Sequence, residues 1–419
     1  MQERRLRTQC VVVGGGPGGM MLGIGLARAG VDVVVLEKHG DFLRDFRGDT
    51  VHPSTLDVID QLGIRDGFEA IEHRRVTGLD IVLDGTRLHP IDLSRLRGPN
   101  RHVALMPQWD LLNLLAEHGR TLPGFRLLMS TESTALIRQG GRTAGVVARD
   151  ADGELRIEAP LTVLADGRGD RLRAEAGLSP RTFGVPIDVL WFRIDAPPVV
   201  PPDTLAYVSG DAFLITIPRV DYFQCGLLIP KDGLDAVRAA GLPAFRERIV
   251  RAAPFLADTV GGLDDWDAIK LLSVQVDRLD RWWSPGLLAI GDAAHAMSPT
   301  FGVGINYAVQ DAVAAANALA VPLGAGAEPD GVDNVALDRA LARIQRRRRL
   351  AVSLMQPLQL RAHRLIGSGR TVLHSPPRAR ERVAIALLLP VARRLAARIV
   401  GRGFRPERFS ERIVPPERR

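Results

Sequence analysis

The sequence predicts an α/β fold in three parts: a parallel-sheet domain, a β-sheet domain interleaved with it, and a C-terminal helical region. Three observations predict this. Residues 9–13 form an apolar run that passes through spaced glycines into a helix-like stretch. Residues 185–278 are rich in apparent strands. The chain then returns, over 286–320, to a short apolar strand, a Gly-Asp turn and a long apolar helix.

The first observation has a mechanical reading. Gln9-Cys-Val-Val-Val13 reads as a buried strand, followed by Gly14, Gly16 and Gly19 in G-x-G-x-x-G spacing. A second strand, Asp32 to Leu36, ends in Glu37, 23 residues after Gly14. Gly14 allows the tight turn, Gly16 lets the backbone approach a pyrophosphate, and Gly19 permits close helix–strand packing. Glu37 can accept hydrogen bonds from ribose hydroxyls. The domain is therefore Rossmann-like and dinucleotide-binding.

Arg44 to Asp49 follows as a charged loop that either folds over the ligand or is simply solvated. His52 to Gly63 reads as a helix of about ten residues, with Pro53 in its first turn and Gly63 as its stop. Residues 76–92 alternate around Asp84-Gly85 as a hairpin, and Gln108 to His118 is a helix with an apolar stripe. Strands at 125–129, 132–138, 143–149 and 154–158 lead into Leu161 to Ala165 and then Asp166-Gly167. In the β-rich block the expected strands are 187–195, 204–208, 212–218, 222–229 and 268–278. A helix at 235–252 is broken near Gly241-Leu-Pro243. The expected division is 1–75, 93–184 and 279–330 for the dinucleotide-binding domain. Residues 76–92 and 185–278 form the substrate domain, and 331–419 the tail.

The returning stretch carries the second half of the site. Leu287 to Ile290 reads as a strand ending in Gly291-Asp292, and a glycine-bearing loop leads to a helix beginning near Gly304. A strand-end carboxylate beside a helix N-terminus can hold a polar, partly anionic ligand against backbone N–H groups.

Composition excludes several classes. With 46% hydrophobic and 25% charged residues the chain is an ordinary globular protein, and no 18-residue apolar run is present to cross a membrane. Cys10 and Cys225 are too few for a disulfide framework or a metal knuckle, so no metal is expected. Arg4-Arg5-Leu6-Arg7 before an apolar run imitates a secretion signal, but the glycine spacing argues against one and for a cytoplasmic location. From Gly331 onward 21 arginines face 6 acids, a balance of +15; the whole chain is +7, which leaves −8 for residues 1–330. The tail reads as helices over 336–350, 351–366 and 378–400, with Pro357 and Pro390 as kinks or breaks. Leu388, Val391, Leu395 and Ile399 make an apolar stripe beside Arg394, Arg398 and Arg402. That pattern fits either packing on the acidic body or peripheral contact with an anionic membrane surface. Nothing resembles a nucleic-acid-binding fold.

Three separated motifs now agree. Gly14-x-Gly16-x-x-Gly19 with Glu37, Ala165-Asp166-Gly167 with Arg173, and Gly291-Asp292-Ala-Ala-His295 with Pro299, Gly302, Gly304 and Asn306 stand in this order. Together they resemble the class A, single-component FAD-dependent monooxygenases, the aromatic-hydroxylase family with the p-hydroxybenzoate hydroxylase fold, over roughly residues 8–320. The resemblance implies a GR2-type Rossmann-like FAD-binding domain. It implies FAD, NADH or NADPH, and O2 as reagents, and a flavin C4a-hydroperoxide that hydroxylates or epoxidises an aromatic, polyketide-like or other hydrophobic small molecule.

It also assigns residues. Gly14, Gly16, Pro17 and Gly19 would cradle the pyrophosphate, and Glu37 and Lys38 the adenosine side. Arg47, Gln108 and Asp166 would contact the cofactor, with Asp166 linked to NAD(P)H as well. Asp292 would bind the ribityl chain, and Gly302, Gly304, Ile305 and Asn306 the flavin's pyrimidine edge. Pro299, Thr300 and Phe301 would form the environment of the oxygen-reacting face, with no acid or base assigned. Asp170, where the family has serine, and Val303, where glutamine is frequent, depart from the pattern. The family's halogenases carry a tryptophan pair and a placed lysine that this chain lacks. His295 is read as a packing or hydrogen-bonding residue.

Trp191, Arg193, Tyr207, Phe213, Arg219, Tyr222 and Gln224 are substrate-wall candidates, about half of which must face away on alternating strands. The rival readings are an FAD-dependent reductase of the geranylgeranyl-reductase type acting on a lipid-like substrate, and a flavin-binding protein without turnover. A monomer and a homodimer fit equally.

Overall fold

A computed structural model describes residues 4–43, 50–199, 206–219, 221–324, 331–367 and 379–415. The central sheet has six strands in the order Trp283–Ser284, Leu287–Ala289, Leu161–Leu164, Cys10–Val13, Val33–Leu36 and Phe125–Leu128. All pair in parallel except the Trp283–Ser284 edge. The inner strands are continuous apolar runs because both faces are covered; every residue of Cys10–Val13 and Val33–Leu36 is buried. Helices Pro17–Arg28 and Gly304–Leu319 pack on each other beside this sheet. The second is apolar on nearly all sides, which suits a helix enclosed by sheet and helices rather than one facing water. A four-stranded sheet joins Arg4–Arg7, Gly153–Glu158, Arg142–Asp150 and Glu132–Gln139.

The second large sheet has seven strands: Lys270–Leu272, Ile187–Asp195, Tyr222–Pro230, Ala212–Pro218, Ala206–Ser209, Gly78–Leu83 and Thr86–Asp92. The hairpin at Asp84-Gly85, where both residues have positive φ, therefore joins strands more than a hundred positions later, through parallel pairing of Ile81–Leu83 with Ala206–Val208. Helix Leu234–Ala252 covers one face and bends at Gly241 (φ 84°, ψ 161°) two residues before Pro243, as expected.

Two expectations fail. The single strand over 268–278 is two, Lys270–Leu272 and Val276–Leu279, in different sheets. The buried Asp188 carboxylate accepts from Val274 N (2.9 Å) and Lys231 Nζ (2.8 Å), and Lys231 also donates to Val274 O, so Val274 is drawn out of the ladder. Of the kink or break expected at Pro357 and Pro390, the break does not occur: helices Asn334–Gly367 and Ala379–Arg402 run through them.

The tail packs on the body. Leu337, Leu341 and Ile344 enter the main core, as do Phe409 and Ile413 from the last described residues. Burying each such side chain stabilises by about 1.5–3 kcal/mol. Ala397 and Val400 are buried, whereas Val391 and Leu395 are 62% and 56% exposed. Ile399 is only partly buried, and the Leu388 side chain lies outside the described residues. No helix among the described residues is long and apolar enough to cross a membrane.

Candidate active site

One cavity of about 1100 Å³ runs from the turn after Cys10–Val13 to the face of the seven-stranded sheet. Its first end is built by the glycine turn. Gly14 has φ 108°, and a Cβ there would lie 2.4 Å from Ala165 O; one on Gly19 would lie 2.0 Å from Gly14 O. Only glycine allows the two strand ends and the helix to meet this closely. Gly16, extended, caps helix Pro17–Arg28, with Pro17 at its first position. Glu37 is 9% exposed and fixed, its oxygens accepting from Gly15 N (3.2 Å) and His39 N (3.0 Å). Gly14, Gly16, Pro17, Glu37 and Lys38 line this end, with Gln108 and Asp166 further along the wall. Gly19 stands behind the turn, and Arg47 lies outside the described residues.

Asp166 carries a specific mark of a missing partner. Its Oδ1 is buried without a hydrogen bond among the described residues, and burial raises its pKa to about 6 despite Arg173 and Lys38. A donor entering the cavity would satisfy it. Asp170, at the first departure from the family pattern, pairs with the buried Arg173. Arg173 Nη1 also donates to Ala293 O (3.3 Å), tying the Asp-Gly segment to the Gly-Asp turn.

The middle of the cavity is walled by the returning stretch. Asp292, 38% exposed at its side chain, lies 3.8 Å from Arg168. Pro299, Thr300, Phe301, Gly302, Gly304 and Ile305 all line the wall. The backbone is tightly wound here: Phe301 and Gly302 have φ 70° and 62°, and Gly302 O accepts from Thr50 Oγ1 at 2.8 Å. Gly304 and Ile305 open helix Gly304–Leu319, so its positive end faces the cavity. Asn306 sits behind, its Oδ1 accepting from His52 N (3.1 Å) and Thr55 Oγ1 (2.6 Å). Val303 is buried against hydrophobic neighbours and leaves the loop to its backbone groups. His295 is also behind the wall, 1% exposed, with Nε2 2.5 Å from Asp311 Oδ2.

The far end is apolar, lined by residues such as Leu79, Val189, Ile215, Ile217 and Leu228. Of the seven substrate candidates, Trp191 and Phe213 line it. Trp191 lies level with Gly226, which in turn lies level with Ile215, so the glycine leaves the indole room between strands. Trp191 Nε1 is buried with no partner among the described residues, a lone polar donor in an apolar wall.

The other five lie outside the cavity lining. Arg193, Tyr222 and Gln224 share Trp191's side of the sheet but lie further along the strands, past the cavity. Arg193 stacks 3.9 Å from the Tyr222 ring, and Gln224 Nε2 donates to Phe192 O. Tyr207 faces the opposite side, against Phe255. Arg219, at a strand end where its N–H donates to Tyr222 O, is not part of the wall. The missed wall residues were readable: 189 keeps step with 191, and 215 and 217 with 213.

A close glycine cradle, a fixed carboxylate, an orphaned acceptor and a helix N-terminus along one cavity fit FAD. The comparisons agree. A family model described as FAD binding domain matches residues 7–346. The chain is 34% identical over 310 residues, 74% of each chain, to 6-methylpretetramide 4-monooxygenase of Streptomyces rimosus. It is 25% identical over 345 residues to a 12-dehydrotetracycline 5-monooxygenase/anhydrotetracycline 6-monooxygenase of the same species, covering 80% of this chain and 67% of that one. The solved anhydrotetracycline hydroxylase of Streptomyces rimosus superposes with a TM-score of 0.71 at 21% identity, over 94% of this chain and 76% of that one. A probable FAD-dependent monooxygenase from Pseudomonas aeruginosa does so with 0.68 at 24% identity, over 93% and 98%. The two structures, at that identity, speak for the fold alone; with the family match and the 34% identical relative, they place this chain in the FAD-binding family of flavoprotein aromatic monooxygenases.

Proposed function

We propose that this protein is an FAD- and NAD(P)H-dependent monooxygenase acting on a multi-ring, polyketide-like aromatic substrate. One observation carries the reading: the glycine turn, the Gly291–Ile305 segment and the apolar sheet face bound a single continuous cavity. Bound FAD, held by the glycine turn and the Gly291–Ile305 segment, would supply the hydride and O2 chemistry. Two electrons come from the nicotinamide, one oxygen atom enters the substrate, and the other leaves as water.

The chain's own residues bind, orient and exclude water. The N–H groups opening helix Gly304–Leu319 would stabilise negative charge on the ring edge they face. Pro299, Thr300 and Phe301 would keep the reacting side dry. Leu79, Val189, Phe213 and Ile215 would hold an aromatic body, while Trp191 Nε1 would donate to a substrate carbonyl or hydroxyl oxygen. Relatives named for tetracycline-type ring systems favour such a substrate over a lipid, and oxygen insertion over reduction. We assign 76–92 and 185–278 to the substrate domain on the same basis.

The test is to purify the protein and record its flavin absorption. Fused-ring aromatic compounds are then screened for stimulated NAD(P)H oxidation under heavy-isotope O2. Label in the product is the expected outcome. Equal turnover without O2, with no label incorporated, refutes monooxygenation.

The exposed Val391 and Leu395, flanked by the exposed Arg394 and Arg398, support a second, separate element: peripheral contact with an anionic membrane surface. Pelleting with anionic liposomes should fall in a Val391→Ser/Leu395→Ser variant; equal pelleting refutes it.

A further inference from the structure

The Ser298–Gly302 loop faces the cavity on one side and helix Asn334–Gly367 on the other. Gln356, Gln359 and His363 are spaced to share one helix face, and each is at most 1% exposed. Gln356 Nε2 donates to Asp277 O (2.7 Å) and Ala296 O (3.1 Å). Gln359 Nε2 donates to Ser298 O (3.0 Å) and Thr300 O (2.9 Å), the carbonyls that bracket Pro299. His363 Nε2 lies 2.6 Å from both Ser298 Oγ and Thr300 Oγ1. Beyond residue 346, where the family match ends, the helix thus grips the loop through its backbone and its hydroxyls.

Two features say what the grip is for. Phe301 holds a left-handed conformation (φ 70°), which a bulky residue keeps only where its surroundings over-determine it. The hydroxyls also form an ordered chain: Thr300 N donates to Ser298 Oγ (3.0 Å), and Ser298 Oγ donates to Thr300 Oγ1 (3.0 Å). His363 Nε2 closes this chain by lying against both hydroxyl oxygens at once. A neutral imidazole suits this, and burial lowers the His363 pKa to about 4.

We propose that Gln359 and His363 are positioning residues of the monooxygenase, fixing the Ser298–Gly302 loop against the flavin so that NAD(P)H oxidation stays coupled to oxygen insertion. The proposal rests on the reading of this cavity as the flavin site. Its test compares the wild-type holoenzyme with His363→Ala, His363→Gln and Gln359→Leu. Visible circular dichroism of the bound flavin, hydrogen peroxide released per NAD(P)H consumed, and Tm are recorded.

His363→Ala and Gln359→Leu should retain flavin, alter its visible dichroism and raise the peroxide share by up to about tenfold, the scale of a sub-ångström misplacement. His363→Gln, whose amide reaches the Nε2 position, should restore most of both. A lowered Tm with wild-type dichroism and peroxide share overturns the proposal, because a merely structural contact would do only that. Thr300→Val, which leaves the helix intact, supplies the same readings if His363→Ala does not fold. A wild-type protein that binds no flavin instead overturns the proposed function.

Discussion

Replacing Arg348 with methionine should destabilise the protein by about 3–5 kcal/mol, the usual cost of leaving one partner of a buried ion pair alone. Arg348 is 1% exposed at its side chain; its Nε donates to Asp311 Oδ1 at 2.8 Å, and its Nη1 to Arg405 O at 3.1 Å. Asp311 is fully buried and also accepts from Gly291 N (3.1 Å) and pairs with His295. Burial pushes its carboxyl pKa up, but His295 and Arg348 outweigh this and hold it below the ordinary range. Arg348→Met removes the arginine's charge and its hydrogen bonds to Asp311 and Arg405, while the methionine fills much of the same space. Unfolding entropy of about 2.1 cal/mol/K per residue, over 419 residues, gives roughly 0.9 kcal/mol/K. If the chain melts as one unit, Tm should fall by about 3–6 °C. Differential scanning calorimetry reads this directly. Adding Asp311→Asn should recover part of the loss, since the group left in the core is then a neutral amide. A Tm for Arg348→Met within about 1 °C of wild type would refute the argument that this arginine neutralises a buried charge.

Other changes test separate links. Gly19→Ala drives a Cβ to 2.0 Å from Gly14 O, an overpacking cost of about 1–3 kcal/mol or more; flavin recovered per protein should fall, and full retention would contradict the cradle. Trp191→Phe keeps an aromatic side chain but removes the unpartnered N–H. It should raise KM about five- to tenfold, one hydrogen bond's worth, without altering flavin content. Acid should weaken the fold through two histidines that burial depresses to about 4, His52 and His363. Their stabilising contribution is complete above about pH 6.5, where folded and unfolded forms are both neutral. It is lost as pH falls toward about 4, because only the unfolded side chain takes up the proton; each accounts for about 3 kcal/mol. Tm should fall across that window, and His363→Gln should show a shallower fall; parallel curves would contradict the assignment.

The parts of the site legible in the sequence are those where local backbone chemistry leaves a local mark. Gly14 and Gly19 are contact requirements only five positions apart along the chain, and the strand end at Gly291-Asp292 announces its helix within a dozen residues. The apolar wall is harder to read, because alternation says that Trp191 and Arg193 share a side but not how far the cavity reaches. Arg193 and Tyr222 bond to each other just past its end. The tail was hardest. Four consecutive arginines, 346–349, read as charge to be solvated, yet the helix turns one of them inward. Leu337, Leu341, Ile344, Ala351 and Met355 are all buried, and that rhythm of three and four places Arg348, Gln359 and His363 on the same face. Polar residues on an otherwise apolar stripe must find partners, and these find Asp311, the loop carbonyls and the loop hydroxyls. The stripe was visible in the sequence; its partners, some forty to sixty-five positions earlier, were not. The basic tail is therefore less an appendage of the FAD-binding domain than the back wall of the Ser298–Gly302 loop.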